Sequence, residues 1–305
     1  MPKAISIHVG LNHVDAAAYH GWDGTLAGCV NDAHDLAALA AAEGYRTSVL
    51  TDRQATVGAV LSAIRTAAAR LDPGDLFLLT FAGHGGQIEE VAREGEEPRG
   101  FDATWVCWDR QLLDDELHAA FAGFTRDARI VVVSDTSHCT TVIRHAMSYS
   151  PPVRTPDGAR RARMIPTAVA ARDAVARHSA YHRARRNARA ELRKAMAELG
   201  TLTRRQTRLR KPTACIAARI VQLAGCQDNQ VAYDGPGNGA FTAALLDVWD
   251  RGRYDGTYRE FLASVRARLV TQTPDYQATG LGSQAWEATR PFAVDIAADL
   301  EPHNG

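Results

Sequence analysis

Two apolar runs constrain this chain most: Leu76 to Gln87, LFLLTFAGHGGQ, and Arg129 to Val142, RIVVVSDTSHCTTV. Each opens as a β run bounded by small and polar residues, and each reaches a reactive side chain where a parallel strand hands over to a loop. In open α/β sheets, sites are built at the carboxyl ends of the strands, so His84 and Ser137 are expected to face one another across neighbouring strand ends.

The rest of the chain repeats that architecture. Ala4 to Gly10 alternates and ends in glycine, as a first strand does. LAGCVNDAHDLAALAAAEG gives a helix from about Asn31 to Ala42, closed by Gly44. Arg46 to Thr51 is a second strand, and Val57, Val60, Leu61, Ile64, Ala68 and Leu71 recur at helical spacing before DPGD turns the chain into the His84 strand. Ile88 to Gly100 reads as a polar loop with no packing face, Ala103 to Trp108 as a short strand or hairpin arm, and LLDDELHAAFAGF as a helix starting near Asp114. Strand and helix in alternation predict a doubly wound α/β fold with right-handed crossovers. After a break, Ala214 to Gly225 is another apolar strand. Two amphipathic helices follow, in GAFTAALLDVWDRG and TYREFLASVRARLV, and an edge strand is expected near Phe292 to Val294. Trp105, Trp108, Trp249 and Trp286 read as packing residues.

The break is Pro151 to Pro212. It holds 15 Arg and 2 Lys against 2 Asp and 2 Glu, so it carries +13 and leaves −13 on the rest of a formally neutral chain. An acidic body facing a basic segment points to a partner within the same chain. From Ile165 to Leu199 the segment lacks Gly and is rich in Ala, Arg, Glu and Leu, which predicts a helix or helical hairpin. Its flanks, SPPVRTPDGARRAR and TLTRRQTRLRKP, read as exposed and extended. No window approaches 18 consecutive apolar residues and MPKAISIHVG enters a strand directly, so the expectation is a soluble cytoplasmic protein with no membrane contact. Five cysteines without a CxxC pair argue against both a disulfide framework and a zinc ribbon.

AGHGGQ and VVVSDTSHCTT resemble the histidine and nucleophile motifs of the metacaspases and related caspase-like cysteine peptidases. LAGCVNDA, PGDLFLLTFAGHGGQ, LLDDEL and LAGCQDNQVAYDGPGNGAFTAAL extend the likeness in the right order over nearly everything except Pro151 to Pro212. The resemblance implies a caspase-like three-layer sandwich: a mostly parallel central sheet flanked by helices, with a helical basic insertion. Residues 1–150 correspond to the family's large subunit, 151–212 to an Arg-rich insertion or linker, and 213–305 to the small subunit that completes the same domain.

By the same resemblance His84 is the general base and Ser137 stands where the family carries its cysteine. The amides of Gly85 and Ser137 are the oxyanion donors. The family cuts after Arg or Lys because carboxylates floor its first specificity pocket. Asp32 and Asp135 fall on those positions, with Cys29 on the wall. Ala82 stands where relatives often have serine, and Asp228, after the LAGC strand, is a further candidate substrate contact. His138 follows the nucleophile as a structural loop residue, and Cys139 is read as an incidental thiol. Asp102, Asp114 and Asp115 fall where calcium ligands occur in several relatives, although Arg144 stands near where a further acidic ligand would lie, and Asp114 and Asp115 equally suit a helix N-terminus. No cofactor is required.

An alcohol is far harder to ionise than a thiol of pKa about 8.5, so a site shaped for Cys and His should work poorly with Ser137. A cysteine replaced to silence the enzyme, a natural pseudopeptidase and a natural serine-using relative all fit. Retention of His84, Asp32 and Asp135 favours the first. The expected partner is a protein or peptide with Arg or Lys before the cut bond. ARRAR and RRQTRLRK, beside a pocket for arginine, extend that to self-processing or self-inhibition. The alternatives are an adaptor that holds Arg-bearing peptides without cutting them, or a polyanion-binding insertion, with nucleic acid the less favoured partner.

Overall fold

The computed structural model describes residues 2–89, 101–137, 161–202, 216–227, 230–235, 237–280 and 283–295. In chain order the strands are β1 (Ala4–Gly10), β2 (Arg46–Thr51), β3 (Leu76–Ala82), β4 (Gly85–Glu89), β5 (Phe101–Val106), β6 (Gln111–Leu113), β7 (Arg129–Asp135), β8 (Arg219–Ala224) and β9 (Asp275–Thr279). The helices are α1 (Cys29–Ala42), α2 (Val57–Ala68), α3 (Asp114–Phe121), α4 (Thr167–Ala176), α5 (His178–Leu202), α6 (Ala240–Trp249), α7 (Tyr258–Arg266) and α8 (Ser283–Glu287).

Six strands form the central sheet in the order β2-β1-β3-β7-β8-β9, all parallel except β9, which pairs antiparallel with β8. Every residue of β3 and β7 is buried. Their side chains alternate between two cores: Phe77, Leu79, Ile130 and Val132 face one, and Leu76, Leu78, Val131 and Val133 the other. Residues of α2 and α3 fill the first core and those of α1, α6 and α7 the second, which gives three layers. A strand covered on both faces is apolar on both, which is why Leu76 to Leu79 and Ile130 to Val133 are continuous and not alternating.

The register sets the site. Gly10 pairs with Ala82 and Ala82 with Asp135, so β1, β3 and β7 end level with one another. His84 and Ser137 each follow two residues beyond the paired Ala82 and Asp135. Helix α1 starts at the same edge and brings Cys29 and Asp32 with its first turn.

A second sheet, β4-β5-β6, is antiparallel; the strand or hairpin arm expected at Ala103 to Trp108 is its middle strand, and β4 and β6 are additions to the sequence reading. Ile88 is buried against Leu113 and Tyr181, which corrects the expectation of a featureless polar loop from Ile88; residues 90–100 lie outside the described residues. The insertion is helical as expected, but its second helix is amphipathic and docked: Tyr181, Ala188 and Leu192 form a buried stripe. Of the flank read as exposed and extended, Arg161 to Arg163 falls among the described residues: the chain makes β-bridges at Ala162 and at the following Met164, bends at Arg163, and buries Arg163 completely. No strand forms at Phe292, which lies at φ 61° with its ring packed against Trp249, Tyr258 and Phe261; β9 is the edge strand instead. Among the described residues no helix is long and apolar enough to cross a membrane.

Candidate active site

The strand ends form a cleft, and the chain's own segment Arg161–Ile165 runs through it, bridged at Ala162 and Met164 and bent at Arg163. On one side it pairs with the stretch after β8: Asp234 N–H donates to Arg161 O at 2.9 Å and Arg163 N–H to Ala232 O at 2.9 Å. On the other it pairs with the start of β4: Gly85 N–H donates to Arg163 O at 3.0 Å and Ile165 N–H to Gly85 O at 3.0 Å. A peptide added as a strand between two edges is held by main-chain bonds alone, whatever its side chains.

The Arg163 side chain adds a specific contact. Its Nη2 lies 2.6 Å from Asp32 Oδ2 and 3.0 Å from Asp234 Oδ1, and its Nη1 lies 3.0 Å from both Asp135 Oδ2 and Asp135 O. Each carboxylate is separately fixed. Asp32 Oδ1 accepts from Gly239 N–H at 2.9 Å, Asp135 Oδ2 from Thr242 N–H and Oγ1, and Asp234 from Ala27 and Gly28 N–H. Burial pushes the Asp32 carboxyl up to about 6, with Arg163 opposing and Asp135 adding to the rise. Burial also raises the Cys29 thiol well above its ordinary value. Cys29, Leu26 and Ala82 form the small apolar wall beside the pocket. A Cβ on Gly239 would lie 2.5 Å from Arg163 Cζ, so only glycine admits a guanidinium at this depth.

The Arg163 carbonyl is held by two amides, Gly85 N–H at 3.0 Å and Ser137 N–H at 3.2 Å. Two convergent N–H donors on one carbonyl oxygen are the geometry of an oxyanion hole. Gly85 is required here, because a Cβ would come within 1.9 Å of Ser137 O.

His84 is buried, with Trp22 4.8 Å away edge to face. Its Nε2 bonds to Gly24 O at 2.9 Å, while its Nδ1 has no hydrogen-bond partner among the described residues. The ring therefore carries its proton on Nε2 and presents a lone pair at Nδ1. Desolvation lowers its pKa to about 4, against smaller upward contributions from the Gly24 and Met164 backbones, so it is neutral at neutral pH. Ser137 Oγ accepts from Ala232 N–H at 3.1 Å.

His84, Ser137, Gly85, Asp32, Asp135, Cys29 and Ala82 thus converge on one cleft. Asp228, His138 and Cys139 lie outside the described residues. Two contributors escape the sequence reading: Asp234, which lies inside the family-like LAGCQDNQVAYDGPGNGAFTAAL stretch without being singled out, and Gly24, which orients His84 through its carbonyl; Arg163 ends the ARRAR string read as a self-processing or self-inhibiting segment, without being singled out within it.

Asp102, Asp114 and Asp115 gather elsewhere, against α5. Arg185 Nη1 bonds to Asp102 Oδ2, and Arg185 Nε and Arg189 Nε lie 3.3 and 3.5 Å from Asp115 Oδ2. Burial, with Asp102 and Asp115 beside it, pushes Asp114 well up. A guanidinium occupies the space among these carboxylates, where a calcium ion would have to sit. Among the described residues no group of His, Cys, Asp or Glu is arranged to hold a metal ion.

The profile of the caspase domain family matches residues 14–285. Metacaspase-1 of Mycosarcoma maydis is 27% identical over 291 residues, covering 88% of this chain and 68% of that protein. Metacaspase-1 of Yarrowia lipolytica is 26% identical over 307 residues, covering 91% and 62%. The chain thus spans about two thirds of the length of these relatives. Among solved structures, protein GSU0716 of Geobacter sulfurreducens superposes with a TM-score of 0.77 at 36% identity, covering 96% of this chain and all of that one. With that match running through both strand ends and the α1 and β8 segments that wall the cleft, the chain belongs to the caspase-domain family of cysteine peptidases, to which it is joined by its likeness to the metacaspases.

Proposed function

We propose that this protein is an arginine-directed endopeptidase fold, with lysine the second choice, and that the Arg163–Met164 bond of its own insertion is a substrate-like segment seated in its active site. One observation carries the reading: Arg163 has its guanidinium among Asp32, Asp135 and Asp234 while its carbonyl oxygen is held by Gly85 and Ser137 N–H. A residue buried only for stability would need the first set of contacts and not the second.

The chemistry follows from the same groups. The nucleophile at position 137 attacks the Arg163 carbonyl carbon, Gly85 and Ser137 amides take the charge that develops on oxygen, and His84 Nδ1 accepts the proton and passes it to the departing Met164 nitrogen. Gly24 O holds the imidazole in the required tautomer, in the place where serine peptidases use a carboxylate. A backbone carbonyl stabilises imidazolium less than a carboxylate does. That suffices for a thiol and leaves a serine weakly activated, so the Ser137 form is a silenced or very slow one and keeps its plug.

The second reading, an adaptor that holds Arg-bearing peptides without cutting them, is favoured by Ser137 itself and by its Oγ being bonded to Ala232 N–H. One experiment separates the two. The chain as it stands, Ser137→Cys, and Ser137→Cys with Arg163→Ala are incubated and followed by intact mass, then offered peptides with Arg, Lys or Asp before the bond. Cutting at 163–164 by the cysteine form alone, and of Arg and Lys peptides only, supports the peptidase. Arg-peptide binding with no cutting by any form supports the adaptor, and cutting after Asp refutes the pocket.

A further inference from the structure

We propose that cutting at Arg163–Met164 is reversible within the folded protein, so that the active form acts as a peptide ligase towards its own segment as well as a peptidase. This rests on the reading of that bond as the cut site. Both ends of the bond are held by contacts that cutting does not remove. On the acyl side Arg163 keeps its guanidinium among three carboxylates and its N–H on Ala232 O. On the leaving side Ile165 is 2% exposed within the larger core and donates to Gly85 O.

Two residues further on, α4 begins, and it is anchored in turn. Asp173, with no exposed surface, accepts from Gln111 Nε2 at 2.9 Å, Tyr181 OH at 2.5 Å and Arg177 Nε at 2.6 Å. The backbone N–H of Gln111 donates to Tyr181 OH at 3.2 Å, and Arg185 fastens α5 to Asp102 and Asp115. The new amino group of Met164 therefore stays beside the acylated nucleophile and does not diffuse away. A reactant held in place by the fold acts at effective molarities on the order of 10⁵ to 10⁸ M when well oriented, and so competes with water for the acyl carbon.

The steps balance. In the forward direction the sulfur or oxygen at 137 bonds to the Arg163 carbonyl carbon, the bond to Met164 nitrogen breaks, and His84 carries the proton from nucleophile to nitrogen. In the reverse direction the neutral Met164 amine attacks the acyl carbon, the acyl-enzyme bond breaks, and the proton returns through His84. Water entering in place of the amine gives the Arg163 carboxyl group and frees the nucleophile; on the return the carboxyl takes up a proton through His84, the nucleophile at 137 bonds to its carbon, and one carboxyl oxygen leaves as water.

The test uses the full-length Ser137→Cys chain in water enriched in ¹⁸O, quenched at intervals. The cut fraction and the mass of a peptide spanning Arg163 and Met164, released by an acidic-residue-specific protease, are read together. The expected result is a plateau short of complete cutting, with heavy oxygen appearing in the spanning peptide of the chains that are intact. Tyr181→Phe, which keeps the ring and loses its hydrogen bonds, and Asp173→Asn loosen the leaving side, and each should move the plateau towards completion without changing the initial rate. Melting curves establish that both variants are folded. Complete cutting with unlabelled intact chain overturns the proposal, as does a plateau without label or one that neither variant moves. If no form cuts at 163–164 while Arg peptides are bound, the underlying reading fails first and this one with it.

Discussion

Arg163 Nη2 stands 2.6 Å from Asp32 Oδ2, and neither side chain has any surface exposed to solvent. Removing both charges from water costs several kcal/mol apiece, so the contact is sustained by the further bonds of each partner to Asp234, Asp135 and Gly239. The pocket is formally richer in carboxylate than in cation. A guanidinium, with a fork that reaches several oxygens at once, matches that arrangement better than the single ammonium of lysine would.

Arg163→Ala should leave Asp32, Asp135 and Asp234 buried without their cation. Breaking such a group by removing one member costs ~3–5 kcal/mol. The expected outcome is a melting temperature several degrees lower, partly restored by an arginine ester that binds the emptied pocket and without effect on the parent chain. Equal ester-induced shifts in both chains would mean that the ligand binds elsewhere.

The pH dependence has two opposed parts. His84 titrates at about 4 in the fold against 6.5 in the unfolded chain, so the unfolded state binds more protons in that window and stability grows as pH rises from 4 to 6.5. Asp32 titrates at about 6 against 3.8, so the folded state binds more protons and stability falls as pH rises from 4 to 6. Each shift is worth roughly 3 kcal/mol, and in the parent they largely offset. In His84→Asn the falling limb should be unmasked, and in Asp32→Asn the rising one. His8, lowered to about 3 by burial, adds a rising slope and Asp114, pushed well up, a falling one; both are common to every variant and cancel in the differences. Denaturant midpoints measured from pH 4 to 7 give the comparison directly.

How much of this was legible in the sequence depends on whether a residue acts through its own pattern or through its surroundings. The β3 and β7 runs announce a doubly covered strand because Leu76 to Leu79 and Ile130 to Val133 are apolar without alternation, and the residues just beyond the strands are then placed by register alone. Asp32 and Asp135 follow from motif position. Arg163 is only half legible: ARRAR, which ends on it, reads as a segment for the arginine pocket, but nothing in the string marks which of its arginines is the buried one. The partner of His84 is silent, because a backbone carbonyl has no residue type. Phe292 looked like an edge strand by its apolar neighbours, yet its ring is captured by Trp249, Tyr258 and Phe261, a tertiary contact that overrides local preference.

Gly239→Ala tests the pocket from its wall. The added Cβ would lie 2.5 Å from Arg163 Cζ and from Asp135 Oδ2, and overpacking of this kind costs ~1–3 kcal/mol. In a Ser137→Cys background, cutting at 163–164 should slow by at least tenfold and the KM for Arg peptides should rise. An unchanged KM would show that guanidinium depth does not set affinity.

Arg185 supplies the last prediction. Its guanidinium contacts Asp102 and Asp115 beside Asp114, whose carboxyl is pushed well above its usual range by burial and by those neighbours. With the positive charge built into α5, the melting temperature of the parent chain should be indifferent to calcium and to chelator alike. Arg185→Met keeps much of the side-chain volume and removes the charge, leaving buried carboxylates to repel one another, at a cost of ~3–5 kcal/mol. Because α5 leads back through α4 to Ile165, the same change should also loosen the segment in the cleft. Amide hydrogen exchange at Gly85 and Ser137, whose N–H groups are protected by Arg163 O, should then quicken. Exchange at those two amides that stays slow while the rest of α5 opens would show that the plug is held by its own contacts and not by the helices behind it.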